Sequence, residues 1–261
     1  MILYRCEDTD DFRNSIHYAR TIEDDRREKA EGRTKLWHYT NIDVLYKIIA
    51  NRTIRFSRID CVNDISEKEP LEVAELYLGT YIACFSHNED ESIPLWSMYT
   101  SKGQGIRIEL EFSDSNIQKN FIGIDTSSFD KYQDNILEYK DFRSRIHDIE
   151  YSDSHLTLPV FYEGEDIFVD PRVIAFEKKR IWEYEDETRI MMFTAKHQGR
   201  NTPPHIDFIL DFSRIKKIKV VFDPWMSPEV KKSVELTTKY YLNEYANIIE
   251  YYDSFLEGKI R

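Results

Sequence analysis

Charged residues occupy every second position from Glu183 to Arg189, within the stretch Trp-Glu-Tyr-Glu-Asp-Glu-Thr-Arg that begins at Trp182. In an extended strand, successive side chains point to opposite faces of the sheet. A strand here would therefore place the carboxylates of Glu183, Glu185 and Glu187 on one face. Because like charges on one face repel each other, the segment is restricted to two settings. It is either a functional site or a solvated edge strand protected by charge.

Apolar alternation elsewhere predicts a chain rich in short strands. From Gln104 to Phe112, apolar and charged residues alternate, which predicts a strand with one buried face. Shorter apolar runs predict strands at 36–39, 54–57, 80–86, 146–151, 208–212, 218–222 and 248–252. Capping residues and helical spacing predict helices after Asn41, after Ser227 and over 170–180. A loop is predicted around Pro94 and Trp96.

Strands interspersed with helices predict a single α+β domain over residues 34–261. Its sheet is expected to be curved, mixed and mostly antiparallel, with helices on its faces. Residues 1–33 predict an N-terminal helical extension, because a partial apolar stripe precedes an almost wholly charged run that Gly32 ends.

Composition limits the class of protein and its partners. The net charge of −12 repels phosphate groups, so nucleic acid is not an expected partner. The three cysteines, with no Cys-x-x-Cys pair, argue against a disulfide framework and favour a cytoplasmic location. No apolar run approaches the roughly 18 residues of a membrane helix, and the first residues are charged rather than like a signal peptide.

Several catalytic motifs are absent from the sequence. It contains no His-x-x-x-His pair, no Gly-x-Ser-x-Gly and no P-loop, so no metal is expected. The glycine pair Gly103 and Gly105 precedes a predicted strand, whereas the dinucleotide fingerprint opens a helix. Glu177 and Lys179 form the Glu-x-Lys of some metal-dependent nucleases, but such enzymes place it on a strand, and a solvated helix is predicted here.

Individual polar and aromatic residues have both structural and functional interpretations. His38 at the end of a predicted strand is either a backbone cap or a ligand-binding group. Trp96 and Tyr99 share one face of a helical turn, as core residues or as a stacking platform for a flat ring. Asn63 and Asp64 in a predicted loop are either residues that stabilise a turn or polar groups that line a pocket.

Four blocks, in order, resemble a bacterial family known only as domain of unknown function 2971. The blocks are Leu36–Thr40; Phe56-Ser57 with Asn63-Asp64 and Glu67; Cys84–Ser86 with Leu95–Tyr99 and Gly105–Ile108; and Lys179–Arg189. The sequence departs from the family at Ile65, where proline is frequent, and at Asp223, where a glycine is frequent. The family name implies no activity.

A more distant resemblance is to ADP-ribosyltransferases, which implies an ADP-ribosyltransferase-like fold and NAD as substrate. The resemblance rests on the order of strand, helix and strand that begins with His38, and on the Glu-x-Glu formed by Glu185 and Glu187. It implies that Glu187 is the catalytic carboxylate and that Glu185 orients the acceptor. The residues it implies for binding NAD are His38, Tyr39, Ser57, Trp96 and Tyr99.

The leading hypothesis is therefore an NAD-dependent ADP-ribosyltransferase or NAD-cleaving enzyme of the toxin or phage-defence type. A carboxylate near the ribose would stabilise the positive charge that develops as the bond to nicotinamide breaks. The acceptor would be a small molecule or a protein. Two alternatives remain: a non-enzymatic ligand- or partner-binding module whose glutamates form a charged edge, and a metal-dependent nuclease.

Overall fold

The computed structural model describes residues 30, 32–62, 78–128, 137–153, 160–163, 166–169, 175–194 and 202–260. The predicted N-terminal extension up to residue 29, the loop at Asn63 and Asp64, and the start of the predicted helix at 170–174 lie outside these residues. Within the described part of the chain, no helix has the length and apolar character needed to span a membrane.

The described residues form three α-helices and fourteen strands. The helices are α1 (Ile42–Asn51), α2 (Ile93–Tyr99) and α3 (Pro228–Leu242). The strands are β1 (Lys35–Asn41), β2 (Thr53–Arg58), β3 (Thr80–Ser86), β4 (Gly105–Phe112), β5 (Phe121–Asp125), β6 (Arg143–Asp148), β7 (Glu150–Ser152), β8 (Val160–Glu163), β9 (Asp166–Val169), β10 (Glu177–Lys179), β11 (Glu187–Phe193), β12 (His205–Leu210), β13 (Ile215–Phe222) and β14 (Ile249–Asp253).

Ten of these strands form the main sheet. Its order is β14-β13-β4-β1-β3-β2-β12-β5, and β11 joins β3 to β6. The pairs are antiparallel except β13 with β14. Two small sheets pair β10 with β7 and β8 with β9. The predicted α+β architecture with a mixed, mostly antiparallel sheet is confirmed.

Strand β3 changes partner along its length, and this opens a seam in the sheet. On one edge it pairs with β11 over its whole length. On the other edge it pairs with β1 at Ser86 and with β2 at Tyr81 and Ile82. Between these points β1 and β2 diverge. The helix that connects them, α1, begins where the side chain of Asn41 accepts a hydrogen bond from the amide of Val44, 3.0 Å away.

The core explains why β4 differs from its prediction. The expected apolar face packs in the main core together with α1 and α3. The opposite face is also buried, because Arg107 donates to the carbonyl oxygens of Asn88 and Glu89 at 2.8 and 2.6 Å. Glu109 accepts from the indole of Trp37 at 3.1 Å. A strand with only one buried face was therefore the wrong prediction.

The glutamate-rich stretch is not a single strand. Residues Arg180–Glu185 form a 3-10 helix, and Asp186 has a left-handed backbone with φ of 44°. β11 begins only at Glu187 and lies between β3 and β6. The solvated-edge interpretation is wrong for this residue, because an internal strand exposes no free edge and Glu187 is 3% exposed.

Two further local predictions are corrected by tertiary contacts. Residues Glu177–Lys179 form β10, not a helix, because they pair in parallel with β7. The loop predicted around Trp96 is helix α2, which Ser92 caps by accepting from the amide of Leu95 at 3.4 Å. Pro94 in its first turn has no amide hydrogen to leave unpaired.

Candidate active site

A cavity of about 430 Å³ lies at the seam between β1 and β2. This volume falls within the roughly 300–1,000 Å³ typical of small-molecule sites. Residues of β1, β2, β3 and α1 line it, together with residues of α2, β10 and β11. The predicted site residues that line it are His38, Tyr39, Ser57, Tyr99, Glu185 and Glu187.

Trp96 is the predicted site residue that does not line the cavity. Its side chain is 1% exposed and packs edge-to-face on Tyr39, with ring centroids 5.0 Å apart. Its indole nitrogen donates to Glu91 at 2.9 Å. The core interpretation of Trp96 therefore holds, and its role as a stacking platform is wrong for this arrangement.

Two carboxylates and a lysine form the centre of the site. The ammonium group of Lys178 donates to Oε2 of Glu185 at 2.6 Å and to Oε2 of Glu187 at 3.2 Å. It also lies 4.7 Å from the centre of the Trp182 ring. All three charged side chains are at most 7% exposed. One buried cation thus bridges both carboxylates.

Arg189 is the second cation, and it binds Glu187. Its Nε donates to Oε1 of Glu187 at 2.7 Å, while its Nη1 donates to the carbonyl oxygen of Ala175 at 2.8 Å. Burial by itself would raise the pKa of Glu187, but Arg189 and Lys178 outweigh it and lower that pKa to about 2. Glu187 is therefore a buried carboxylate that stays ionised at neutral pH.

Glu185 has a different environment. Burial raises its pKa, and Lys178 opposes this effect. Its Oε1 accepts a hydrogen bond from the hydroxyl group of Tyr99 at the end of α2. Burial and this contact with Glu185 raise the pKa of Tyr99, so the phenol keeps its proton. The two carboxylates thus differ in how readily they take up a proton.

Backbone contacts of Asp186 and Glu187 hold the two carboxylates in place. The carbonyl oxygen of Asp186 accepts from the amide of His87 at 2.9 Å, and its carboxylate accepts from the side chain of Asn88 at 2.8 Å. The amide of Glu187 donates to the hydroxyl oxygen of Tyr151 at 2.9 Å. The turn between the carboxylates is therefore tied to β7 and to the segment that follows β3.

His38 lies at the opening of the seam. Its Nδ1 is 3.0 Å from the carbonyl oxygen of Cys84, in the stretch of β3 that pairs with neither β1 nor β2. Since a carbonyl oxygen only accepts, Nδ1 carries the hydrogen and Nε2 is the acceptor of a neutral ring. Burial lowers the pKa of His38 despite the hydrogen bond to Cys84, which keeps the ring neutral.

Strand registers place Ser57 and Glu187 on the same face of the sheet. Ser57 pairs with Ile82 on β3, and Ile82 pairs with Met191 on β11. Met191 and Glu187 lie an even number of positions apart on β11, so their side chains point to the same face. His38 instead pairs with Ile108, whose side chain lies in the main core. His38 and Glu187 therefore line one cavity from opposite faces, which the open seam permits. The hydroxyl oxygen of Tyr39 accepts from the amide of Ser92 at 2.9 Å.

Lys178 is the site residue that sequence reasoning missed. The charged run Glu177–Arg180 matches a solvated helix, and no local signal shows that one of its lysines is buried. Glu177 lies on strand β10, and a metal-dependent nuclease of the Glu-x-Lys type requires its glutamate on a strand. Among the described residues, however, no group of three or more His, Cys, Asp and Glu side chains could hold a metal ion.

Comparisons with known proteins find a resemblance to one family over part of the chain. The model of a family described as protein of unknown function (DUF2971) matches residues 95–190. No curated protein matches the sequence. Among solved structures, the chain is similar to DarT of Thermus sp. 2.9 in complex with carba-NAD+, at 12% identity over 80% of this chain and 90% of that chain. The TM-score of 0.32 is too low to support an argument about fold or ligand. The resemblance to the DUF2971 family is thus confirmed over residues 95–190, the segment that carries Tyr99 and both carboxylates.

Proposed function

We propose that the protein cleaves NAD+ between nicotinamide and ribose and transfers the ADP-ribosyl group to an acceptor. The observation that carries this proposal is the seam cavity, which brings together a neutral histidine, a tyrosine hydroxyl and a buried, ionised carboxylate. These are the groups that ribose hydroxyls and a developing positive charge require. The toxin or phage-defence setting is part of the proposal and rests on the resemblance to ADP-ribosyltransferases alone.

Glu187 has the properties that the bond-breaking step requires. As the bond to nicotinamide breaks, its electron pair leaves with the ring, and positive charge develops on the ribose. A carboxylate that is held ionised in a buried site stabilises this charge without reorganising. The pKa of about 2 keeps Glu187 in this state, whereas an ordinary buried carboxyl group would be neutral.

Glu185 is suited to the acceptor. In the second half of the reaction, an acceptor hydroxyl or water forms a bond to the ribose carbon and gives up a proton. The raised pKa of Glu185 makes it a better proton acceptor than Glu187. With water as acceptor, the products are ADP-ribose, nicotinamide and the proton that Glu185 receives. Tyr99 donates to one carboxylate oxygen of Glu185 and Lys178 donates to the other.

His38 and Ser57 are assigned to binding of the ribose. The Nε2 atom of neutral His38 accepts a hydrogen bond from a ribose hydroxyl, because its Nδ1 is already committed to Cys84. Ser57 is half-buried on the face of the sheet that carries Glu187 and can donate or accept. Both side chains line the same cavity as Glu187.

The test is mass spectrometry of NAD+ incubated with the wild-type protein, with Glu187→Gln and with Glu183→Gln. The Glu183 control is exposed on the 3-10 helix that leads to the site. Nicotinamide release by the wild type and the control, and its loss in Glu187→Gln, is the expected result. Equal release by all three proteins would remove Glu187 from the mechanism. A wild type that neither binds nor cleaves NAD+ would overturn the proposal.

A ligand-binding protein without turnover is the second candidate. It is favoured by the fact that Glu187 already accepts hydrogen bonds from Lys178 and from two nitrogens of Arg189. A carboxylate so fully engaged resembles a structural ion-pair network as much as a catalytic group. Binding of NAD+ measured by calorimetry, without release of nicotinamide, would favour this candidate. The release is measured once with water as the only acceptor and once with a cell extract as a source of acceptors.

A further inference from the structure

Lys178 lies where its charge acts on both carboxylates of the site. It projects from β10, a strand of three residues that pairs in parallel with β7. Its ammonium group contacts Glu185 and Glu187 and faces the Trp182 ring, while the adjacent Lys179 is exposed. A buried lysine loses its hydration, so it is retained only with strong partners. Here the two glutamates are those partners.

The two carboxylates need this cation in order to remain ionised together. Two neighbouring carboxylates in a buried site repel each other, and one of them normally takes up a proton. Arg189 donates to both oxygens of Glu187, through its Nε and Nη2 atoms at 2.7 and 3.3 Å. Among the residues that the structure describes, Lys178 is the cation that donates to both carboxylates, at 2.6 Å to Glu185 and 3.2 Å to Glu187.

In the part of the chain that the structure describes, the other groups that face the carboxylates add no further cation. Tyr99 donates a hydrogen bond to Glu185 but carries no charge. Burial raises the pKa of Tyr151, so this residue too is neutral. Among the described residues, the titratable or charged groups that act on the pair are Cys84 of β3, Tyr99 of α2, Tyr151 of β7, Lys178 of β10, Tyr184 of the 3-10 helix and Arg189 of β11.

We propose that Lys178 is a positioning residue that holds Glu185 and Glu187 side by side and keeps Glu185 ionised for the acceptor step. This inference rests on the proposed NAD+ cleavage. It assigns to Lys178 no contact with NAD+, because the ammonium group is engaged by the two glutamates and lies against the Trp182 ring. Its effect on the reaction is exerted through the protonation state of Glu185.

Removing the charge of Lys178 should change the pH dependence of the reaction. An opposite charge at this distance lowers a carboxyl pKa by about 1 to 3 pH units. In Lys178→Met, Glu185 loses that effect, so the acid limb of the pH–rate profile should move upward by about that amount. The rate on the acid side of the profile should fall about 10-fold for each pH unit of that shift, and raising the pH should recover it.

Matched variants separate this role from packing. Lys178→Arg keeps the positive charge and should retain the wild-type pH profile. Lys179→Met makes the same substitution at the exposed neighbour on β10 and should leave both rate and profile unchanged. An acid limb that stays in place in a folded Lys178→Met protein would overturn the proposal, even if the rate fell.

A measurement independent of activity distinguishes this proposal from the proposed function. Glutamate labelled with ¹³C at its carboxyl carbon allows each titration to be followed by NMR, and Glu185→Gln identifies the Glu185 signal. The expected result is a higher titration midpoint for Glu185 in Lys178→Met and an unchanged one in Lys179→Met. An unchanged midpoint in Lys178→Met overturns the proposal. A shifted midpoint in a protein that does not cleave NAD+ supports the charge-holding role and refutes the proposed function. If Lys178→Met does not fold, the same comparison is made with Lys178→Gln.

Discussion

The hydroxyl group of Tyr99 donates a hydrogen bond to Oε1 of Glu185, across 86 residues of sequence. This contact joins the end of helix α2 to the 3-10 helix that precedes β11. The other oxygen of Glu185 is held by Lys178, so the carboxylate is fixed from two sides. The position of α2 is therefore coupled to the geometry of the carboxylate pair.

Replacing Tyr99 by phenylalanine should impair activity without affecting the fold. A hydrogen bond to a charged group is worth about 1.5–3 kcal/mol, and without it Glu185 is held from one side only, so kcat/KM for nicotinamide release should fall by up to about 10- to 100-fold through lost positioning in the transition state. Because Tyr99 is 37% exposed, the melting temperature should change little. Tyr240→Phe, at a side chain that is 80% exposed, is the control and should match the wild type. A wild-type rate in Tyr99→Phe would show that Glu185 needs no partner on α2.

Glu187→Gln should destabilise the protein as well as inactivate it. The substitution leaves Arg189 and Lys178 buried with one carboxylate fewer, and breaking a buried ion pair costs about 3–5 kcal/mol. Urea unfolding at pH 7 measures this loss. Glu183→Gln, at an exposed position on the preceding 3-10 helix, should unfold like the wild type.

The stability difference between the wild type and Glu187→Gln should depend on pH. The folded-state pKa of Glu187, about 2, is below its unfolded value, so its contribution is complete above pH 4.5 and is lost as the pH falls towards 2. The lowered pKa corresponds to about 3 kcal/mol of stability. A difference that stayed constant from pH 7 down to pH 3 would contradict the assigned charge state.

His38→Phe should cost stability at neutral pH but less in acid. The variant removes the hydrogen bond from Nδ1 of His38 to the carbonyl oxygen of Cys84, and the loss of such a bond at a buried acceptor costs about 1–3 kcal/mol. The folded-state pKa of His38 is lowered, so its stabilising contribution is present above the unfolded value of 6.5 and is lost below it. The difference in unfolding free energy between the wild type and His38→Phe should be smaller at pH 5.5 than at pH 7.5. His205→Phe, at a half-exposed ring, should change stability less.

Glu91→Ala should loosen helix α2. The Glu91 carboxylate accepts from the indole of Trp96 at 2.9 Å, the hydroxyl of Ser254 at 2.5 Å and the amide of Phe255 at 2.9 Å. It thus clamps the C-terminal segment onto the helix that presents Tyr99. Hydrogen exchange measured by mass spectrometry should be faster in peptides covering 93–99 in this variant. The exposed Glu89→Ala is the control, and equal exchange in both variants would exclude the clamp.

Many of the elements could be predicted because their signals are local. β3 spans Thr80–Ser86, the bounds that its apolar run predicts. The caps at Asn41 and Ser227 begin helices α1 and α3, since each side chain accepts from an amide three residues on. The Glu-x-Glu pattern marked the segment as a site or a charged edge, but it did not show that Glu185 and Glu187 are buried while Glu183 is exposed.

The sequence by itself determined the alternating and apolar runs, the helix caps and the location of the charged stretch, since each depends on residues within a few positions of one another. Tertiary structure alone decided that β11 is internal, that Glu177–Lys179 is a strand and that β1 and β2 part along β3. The contacts that define the site also join distant residues, such as His38 with Cys84, 46 positions apart. Strand pairing sets these contacts, because it brings one residue's side chain to another's backbone regardless of their separation in the chain.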